Sequence, residues 1–304
     1  MDLYLPIANL SVNALVIIGL GGLVGFLSGM FGVGGGFLTT PMLIFYGIPP
    51  TVAAASAASQ VTGASVSGMM AHMRRDGVDF RMGGVLVAGG IAGSLLGAWL
   101  FRLLTALGQI DTVIGLGYVL LLGTIGLLMA RESFTAVRAV RGGKPVRVKR
   151  RRHHPLVAAL PMRWRFYRSG LYISPIAPLL LGALTGVMTM LLGVGGGFIL
   201  IPAMLYLLGM GTQVVVGTSL FQIVFVTMAS TMTHSLTTHA VDLVLAVLLL
   251  LGSVVGAQFG ARFAVKVKPE YLRLALSLIV LLVAARMAWG LGIRPDEIYS
   301  VQAP

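Results

Sequence analysis

Gly32-Val33-Gly34-Gly35-Gly36-Phe37 is written a second time as Gly193-Val194-Gly195-Gly196-Gly197-Phe198. A proline stands four residues after each Phe, at Pro41 and Pro202. Each block follows an apolar stretch with paired glycines, Gly25 and Gly29 in one half, Gly182 and Gly186 in the other. One block kept in two hydrophobic segments marks an internally duplicated membrane chain. Glycine-broken helices at matching places in two halves point to a transporter's binding region.

Composition agrees. Apolar residues make up 57% of the 304 and charged residues 10%, against roughly 25% charged in soluble domains. Glycine is abundant at 41 residues, as suits helices that pack closely in lipid. The chain has no cysteine, which excludes disulfides, thiolate catalysis and cysteine-held metals. The first basic residue is Arg74, so the first apolar segment is read as a retained one.

Working outward from the two glycine runs, the apolar segments of the first half are 14–31, 37–47, 51–71, 83–106 and 110–130. Those of the second are 175–192, 198–208, 212–234, 243–263 and 272–292. A crossing helix needs about 20 apolar residues. The pieces at 37–47 and 198–208 are too short and read as half-helices or re-entrant segments, tolerable at membrane depth only where protein or water covers the backbone. The fold class is an all-α polytopic membrane protein. It has two homologous helical repeats, about eight spans, and short broken or re-entrant helices after the glycine-rich turns. Residues 1–130 form the first transmembrane repeat, 131–174 a basic loop, and 175–304 the second repeat.

Charge sets the orientation. Residues 131–168 carry twelve Lys or Arg and one acid, eleven of the thirteen net positive charges. The positive-inside rule places this loop in the cytoplasm of a multi-pass protein of the cell membrane. The run Lys149-Arg150-Arg151-Arg152-His153-His154 lacks the interleaved aromatics of a nucleic-acid platform, so no nucleic-acid partner is expected. The 72–82 loop holds Arg74, Arg75 and Arg81 and falls on the same side. If the 264–271 loop, with Lys266 and Lys268, is also inside, equivalent segments run in opposite directions and the repeat is inverted. That requires an odd number of crossings per half, or a re-entrant hairpin at the glycine run. Four parallel crossings per half would instead put that loop outside. The glycine rows 21/25/29, 89/93/97 and 252/256/260 read as close helix packing.

The glycine run is not a nucleotide loop, because no Gly-Lys-Ser/Thr closes it. Two readings stay open: tight packing, or an anion site. In the second, consecutive N–H groups converge without Cβ obstruction at Gly32, Gly34, Gly35, Gly36, Gly193, Gly195, Gly196 and Gly197, and the following half-helices offer their positive ends. All nine acids fall in tails, loops or span ends, and no Lys or Arg sits at mid-span. A cation path or proton relay normally puts a carboxylate there. A bound anion would then rest on neutral dipoles. Ser56, Ser59, Gln60, Gly63 and Ser67 share one helix face, and Thr218, Ser219 and Gln222 are their counterparts. Their hydroxyls and amides can donate to an oxyanion. His72 and His234 end corresponding helices and are candidates for proton coupling. His153 and His154 lack further ligands, and neither metal nor cofactor is expected.

The doubled Gly-Val-Gly-Gly-Gly-Phe with its proline, with Ala57-Ala58-Ser59 in one half and Gly217-Thr218-Ser219-Leu220 in the other, resembles the TauE/SafE sulfite and sulfonate exporter family, the TSUP permeases. The resemblance covers nearly the whole chain outside the central loop. It implies a duplicated permease for sulfite or organosulfonates such as sulfoacetate, with a small anion and the lipid bilayer as partners. A passive anion channel, or a permease for another small organic anion, is the alternative on the same architecture.

Overall fold

The computed structural model describes residues 2–31, 34–74, 76–141, 161, 163–264 and 269–292. Among the described residues each half opens with a short antiparallel hairpin and continues as five helices. The first half has β1 (Asp2–Leu5), β2 (Leu10–Asn13), α1 (Ala14–Phe31), α2 (Gly36–Phe45), α3 (Pro50–Met73), α4 (Phe80–Ala106) and α5 (Ile110–Arg141). The second has β3 (Trp164–Phe166), β4 (Leu171–Ile173), α6 (Ile176–Leu192), α7 (Gly197–Tyr206), α8 (Thr212–Thr237), α9 (Leu243–Ala264) and α10 (Pro269–Gly292). The basic run 149–154 and the 265–268 connection lie outside the described residues. The segment expected as a plain basic loop is partly built: α5 continues to Arg141, and β3–β4 packs against the bundle.

Among the described residues five helical segments are long and apolar enough to cross a membrane: Phe80–Ala106, Ile110–Thr135, Val214–Thr237, Leu243–Gly260 and Tyr271–Gly292. The 24 residues of α3 are rich in Ala, Ser and Gly and fall short in hydropathy rather than length. In α2 and α7, Pro41 and Pro202 sit inside ten-residue helices. Each proline removes one i→i−4 bond. The Asn13 N–H meets the Tyr46 hydroxyl at 3.4 Å, so α2 returns to the end of the bundle at which α1 began. In the second half Leu208 and Met210, after α7, pack with Phe166 and Ile173, which precede α6.

Close packing is a glycine effect. A methyl group on Gly21, Gly25 or Gly29 of α1 would strike the carbonyl of Leu249, Ser253 or Ala257 on α9. In return Gly252, Gly256 and Gly260 lie against Ile18, Gly22 and Phe26. Both series ascend together, so α1 and α9 run parallel. The pair α4 and α6 repeats this, with Gly89 and Gly93 on Leu179 and Ala183, and Gly182 and Gly186 on Leu86 and Gly90. The corresponding helices α3 and α8 instead run antiparallel. Ser59 Oγ bonds Thr231 Oγ1 at 3.3 Å and Thr62 Oγ1 bonds Thr227 Oγ1 at 2.8 Å. Between α5 and α10, Gly115 packs on Leu291 and Gly126 on Leu281, again antiparallel.

Two acids tie each half to the other's hairpin. Asp79 Oδ1 accepts from the N–H groups of Arg81 and Met82 and caps α4, while its Oδ2 accepts from the N–H and hydroxyl of Ser169 in the β3–β4 turn. Asp242 Oδ1 caps α9 through the Leu245 N–H, and its Oδ2 accepts from Ile7 N–H in the β1–β2 turn. Such N-caps contribute about 1 kcal/mol each. The largest core cluster surrounds Phe37 and Phe198, whose rings stack at 4.6 Å and 8°. The two residues that end the doubled motif thus meet at the centre of the molecule.

Candidate functional site at the meeting of the glycine turns

The two turns touch. A Cβ on Gly36 would lie 2.6 Å from the carbonyls of Gly193 and Val194. In the second turn Gly193, Gly195 and Gly196 have φ of +70°, +74° and +76°, the left-handed region that only glycine adopts freely. Gly193 ends α6 there, and its N–H reaches Thr189 O at 2.8 Å. The carbonyls left over at the end of α6 are met by side chains from three other helices. Leu192 O accepts from the Tyr118 hydroxyl at 2.6 Å and from Thr40 Oγ1 at 3.2 Å. Met190 O accepts from His234 Nε2 at 2.9 Å. The Thr189, Met190 and Leu192 carbonyls at the negative end of α6 are thus met. The first N–H groups of α2 and α7, at Gly36–Phe37 and Gly197–Phe198, have no intrahelical acceptor. They carry the positive ends of the two half-helices into the same region.

A glutamine stands beside each turn. Gln60, on α3, accepts from Thr39 Oγ1 at 2.9 Å and lies with Ser28 and Val24 around Gly35. Gln222, on α8, donates to Thr185 Oγ1 at 3.3 Å, and Gly196 lies against Thr185 and Thr189. Val24 and Ser28 of the first chamber stand where Thr185 and Thr189 stand in the second, while Thr39 has Leu200 as its counterpart. Gln60 is 1% and Gln222 0% exposed. Gln60 Nε2 and Gln222 Oε1 nevertheless find no partner among the described residues. A buried polar atom left unmet costs about 1–3 kcal/mol, so two such atoms at matching places call for a ligand or a water. No carboxylate lies in either chamber. Among the described residues no group of three His, Cys, Asp or Glu is arranged to hold a metal.

Of the residues singled out in the sequence, Gly34, Gly35, Gly36, Gly193, Gly195, Gly196, Gly197, Gln60 and Gln222 are gathered here. Gly32 lies outside the described residues. Ser59 is one residue from Gln60 but turns toward α8, on an open groove of about 410 Å³ that it lines with Thr62, Met228 and Thr231. Thr218 Oγ1 accepts from the Asp79 N–H at 3.0 Å, just as Ser56 Oγ accepts from the Asp242 N–H at 3.1 Å. Ser219 Oγ donates to Val216 O at 2.8 Å. Both Thr218 and Ser219 sit toward the β3–β4 end, away from the glycine turns. His72 and His234 stand at opposite ends of the bundle, because α3 and α8 are antiparallel. His234 is fully buried, edge-on to Phe101. Its Nε2 must carry the proton, since a carbonyl only accepts. Arg286, three-quarters along α10, lies 5.2 Å from the centre of the Phe45 ring, a cation inside a span that the sequence reading passed over.

Sequence reasoning missed Ser28, Thr39, Thr185 and Thr189. A signal was present. Ser28 precedes Gly35 by seven residues and Thr189 precedes Gly196 by seven, so aligning the halves upstream of the doubled block would have found this pair.

The model of the family described as "Sulfite exporter TauE/SafE" matches residues 17–287. A "Probable membrane transporter protein" of Xylella fastidiosa (strain Temecula1) is 28% identical over 281 residues, covering 91% of this chain and 95% of the relative. Two proteins of Bacillus subtilis (strain 168), the "Probable membrane transporter protein" YjnA and YunE, are 29% and 24% identical. They cover 87% and 92% of this chain, and 96% and 98% of their own lengths. No solved structure matches.

Proposed function

The chain belongs to the sulfite exporter TauE/SafE family of membrane transporters, and from that premise we propose that it is a secondary carrier of a small sulfur oxyanion, sulfite or an organosulfonate such as sulfoacetate. The observation that carries this reading is the pair of chambers at the glycine turns, each with a buried glutamine whose amide keeps one unpartnered atom. The free Gln60 Nε2 is a donor and, with the N–H groups of the half-helices, suits a charge spread over several oxygens, while the free Gln222 Oε1 is an acceptor and suits a water or a protonated oxygen. The absence of a carboxylate from both chambers spares an anion its repulsion.

The architecture is read as an inverted repeat. The antiparallel pairs α3/α8 and α5/α10 support it, since each joins the same element of the two halves. Each half then contributes three crossings (α3–α5 and α8–α10) and one re-entrant hairpin (α1–α2 and α6–α7), six crossings in place of about eight. The β3–β4 end faces the cytoplasm of the cell membrane, and the stacked Phe37 and Phe198 lie on the axis between the halves. A rocking of one half against the other would expose the chambers alternately.

The test is uptake into liposomes containing the purified full chain, screened across sulfite, thiosulfate, sulfate, organosulfonates and carboxylates. Saturable transport of a sulfur anion with stimulation by the same anion on the far side is expected. Linear flux without trans-stimulation would make the protein a channel, and preference for a carboxylate would reassign the substrate.

A further inference from the structure

The two hairpins are structural equivalents with different outer faces. Both bury one side: Leu5 and Val12 in β1–β2, and Phe166, Leu171 and Ile173 in β3–β4. Both are held by an acid that caps a helix of the other half. That common role dictates nothing about the exposed side. The β1–β2 hairpin has no Lys or Arg in residues 1–13. On β3–β4 the exposed side presents Trp164, Tyr167 and Tyr172, 50%, 71% and 59% exposed, interleaved with Arg165 and Arg168.

The cations there are arranged. Arg81 and Arg165 share one ring, their guanidinium carbons 5.6 Å and 5.8 Å from the Tyr167 centroid. Arg81 Nη1 also donates to Arg165 O at 3.3 Å. Arg168 is paired with Asp76 at 3.0 Å, and neither Arg81 nor Arg165 has such a pair among the described residues. Arg81 and Arg165 thus have no carboxylate partner there, and two like charges share one tyrosine. Arg81 stands in the first turn of α4, where the helix dipole disfavours a cation. Each of these costs would be relieved by an anion between the two guanidinium groups. Beside them Arg165, Phe166, Tyr167, Gly170, Leu171 and Tyr172 line a cavity of about 430 Å³. The place fixes the source of the anion. Phe80 and Arg81 open a membrane-spanning helix, and exposed Trp and Tyr sit at headgroup level in spanning proteins.

We propose that β3–β4 with the first turn of α4 is a binding site for the phosphate headgroup of an anionic phospholipid, clamped by Arg81 and Arg165 and positioned by Tyr167. The full chain in nanodiscs of phosphatidylcholine, with and without phosphatidylglycerol, tests it by native mass spectrometry of retained lipid and by thermal unfolding. Phosphatidylglycerol should be retained and raise the midpoint. R81Q/R165Q should weaken retention by about fivefold per arginine removed, whereas R150Q/R151Q, equal in charge change, should leave it intact. Y167L keeps every charge and should still weaken retention by about threefold. Inorganic phosphate added to phosphatidylcholine discs should not raise the midpoint. Equal loss in the two double variants would reduce the effect to diffuse attraction. Unchanged retention in Y167L would overturn the site even if R81Q/R165Q fails to fold. A midpoint rise with phosphate alone would assign the pocket to a soluble anion instead of a lipid.

Discussion

Gln60 and Gln222 are placed where a packing residue would be a poor choice. Each amide is buried with one atom unmet, and leucine has a similar volume with nothing to satisfy. If the glutamines served only the fold, Leu would be the better residue. Replacement strands no neighbour, because Thr39 can donate to Gly35 O at 3.1 Å and Thr185 already donates to Gly182 O at 2.9 Å. Gln60→Leu and Gln222→Leu should therefore hold or raise the unfolding midpoint of the purified protein. In Gln60→Leu, which loses the free Nε2 donor, anion affinity should fall about five- to thirtyfold, about 1–2 kcal/mol, and in Gln222→Leu, whose free Oε1 is an acceptor, the fall should be smaller. Thr218→Val should do the reverse. It removes the acceptor of the buried Asp79 N–H, costs stability by about 1–3 kcal/mol, and leaves affinity alone. Thermal shift with and without sulfite reads both quantities in one assay. A lowered midpoint with intact affinity in the glutamine variants would return them to a structural role. The role of Thr218 was not legible in the sequence, because Asp79 lies 139 residues away and a hydroxyl in an apolar helix announces no partner. Gln60 and Gln222 were legible as members of matching polar faces.

Among the elements, the glycine rows were legible for a physical reason. Where two backbones touch, no side chain fits, and the constraint is written as a spacing of four. What the rows do not reveal is direction. Parallel and antiparallel pairs need the same small residues, and only the ascending register of α1 on α9 distinguishes them. Nor does glycine content alone identify a contact. Gly123 on α5 meets nothing within 4 Å of an added Cβ, whereas on Gly25 the same atom collides with the Ser253 backbone. Gly25→Ala must therefore push α1 from α9, and Gly256→Ala must do so from the other side. Both should be lost from the folded, monodisperse fraction in size-exclusion chromatography. Gly123→Ala should instead gain about 0.5–1 kcal/mol from the helix backbone, seen as a higher midpoint. A folded Gly25→Ala variant of normal stability would show that the α1–α9 seam is looser than this contact requires.

For the whole molecule, the doubled block of six residues is the sequence sign of a repeat, but it does not give the sense of one, because basic residues alone allowed two arrangements. The structure adds a geometric argument. Corresponding helices that pack on each other antiparallel, as α3 does on α8 through Ser59–Thr231 and Thr62–Thr227, can be related only by an axis lying across the helices. In a membrane such an axis would lie in the bilayer plane, which is the inverted arrangement proposed above. On that proposal the α8–α9 connection and the 264–271 loop lie on opposite sides, with the loop inside. The chain has no cysteine of its own, so single cysteines report without background. His239→Cys, at an exposed position just beyond α8, should react with an impermeant maleimide in intact cells. Lys268→Cys and Arg74→Cys should react only after permeabilisation. The parallel arrangement exchanges the first two results while leaving Arg74 inside. Labelling of Lys268→Cys from outside, with His239→Cys protected, would reject the inverted repeat, and with it the picture of two chambers exposed in turn.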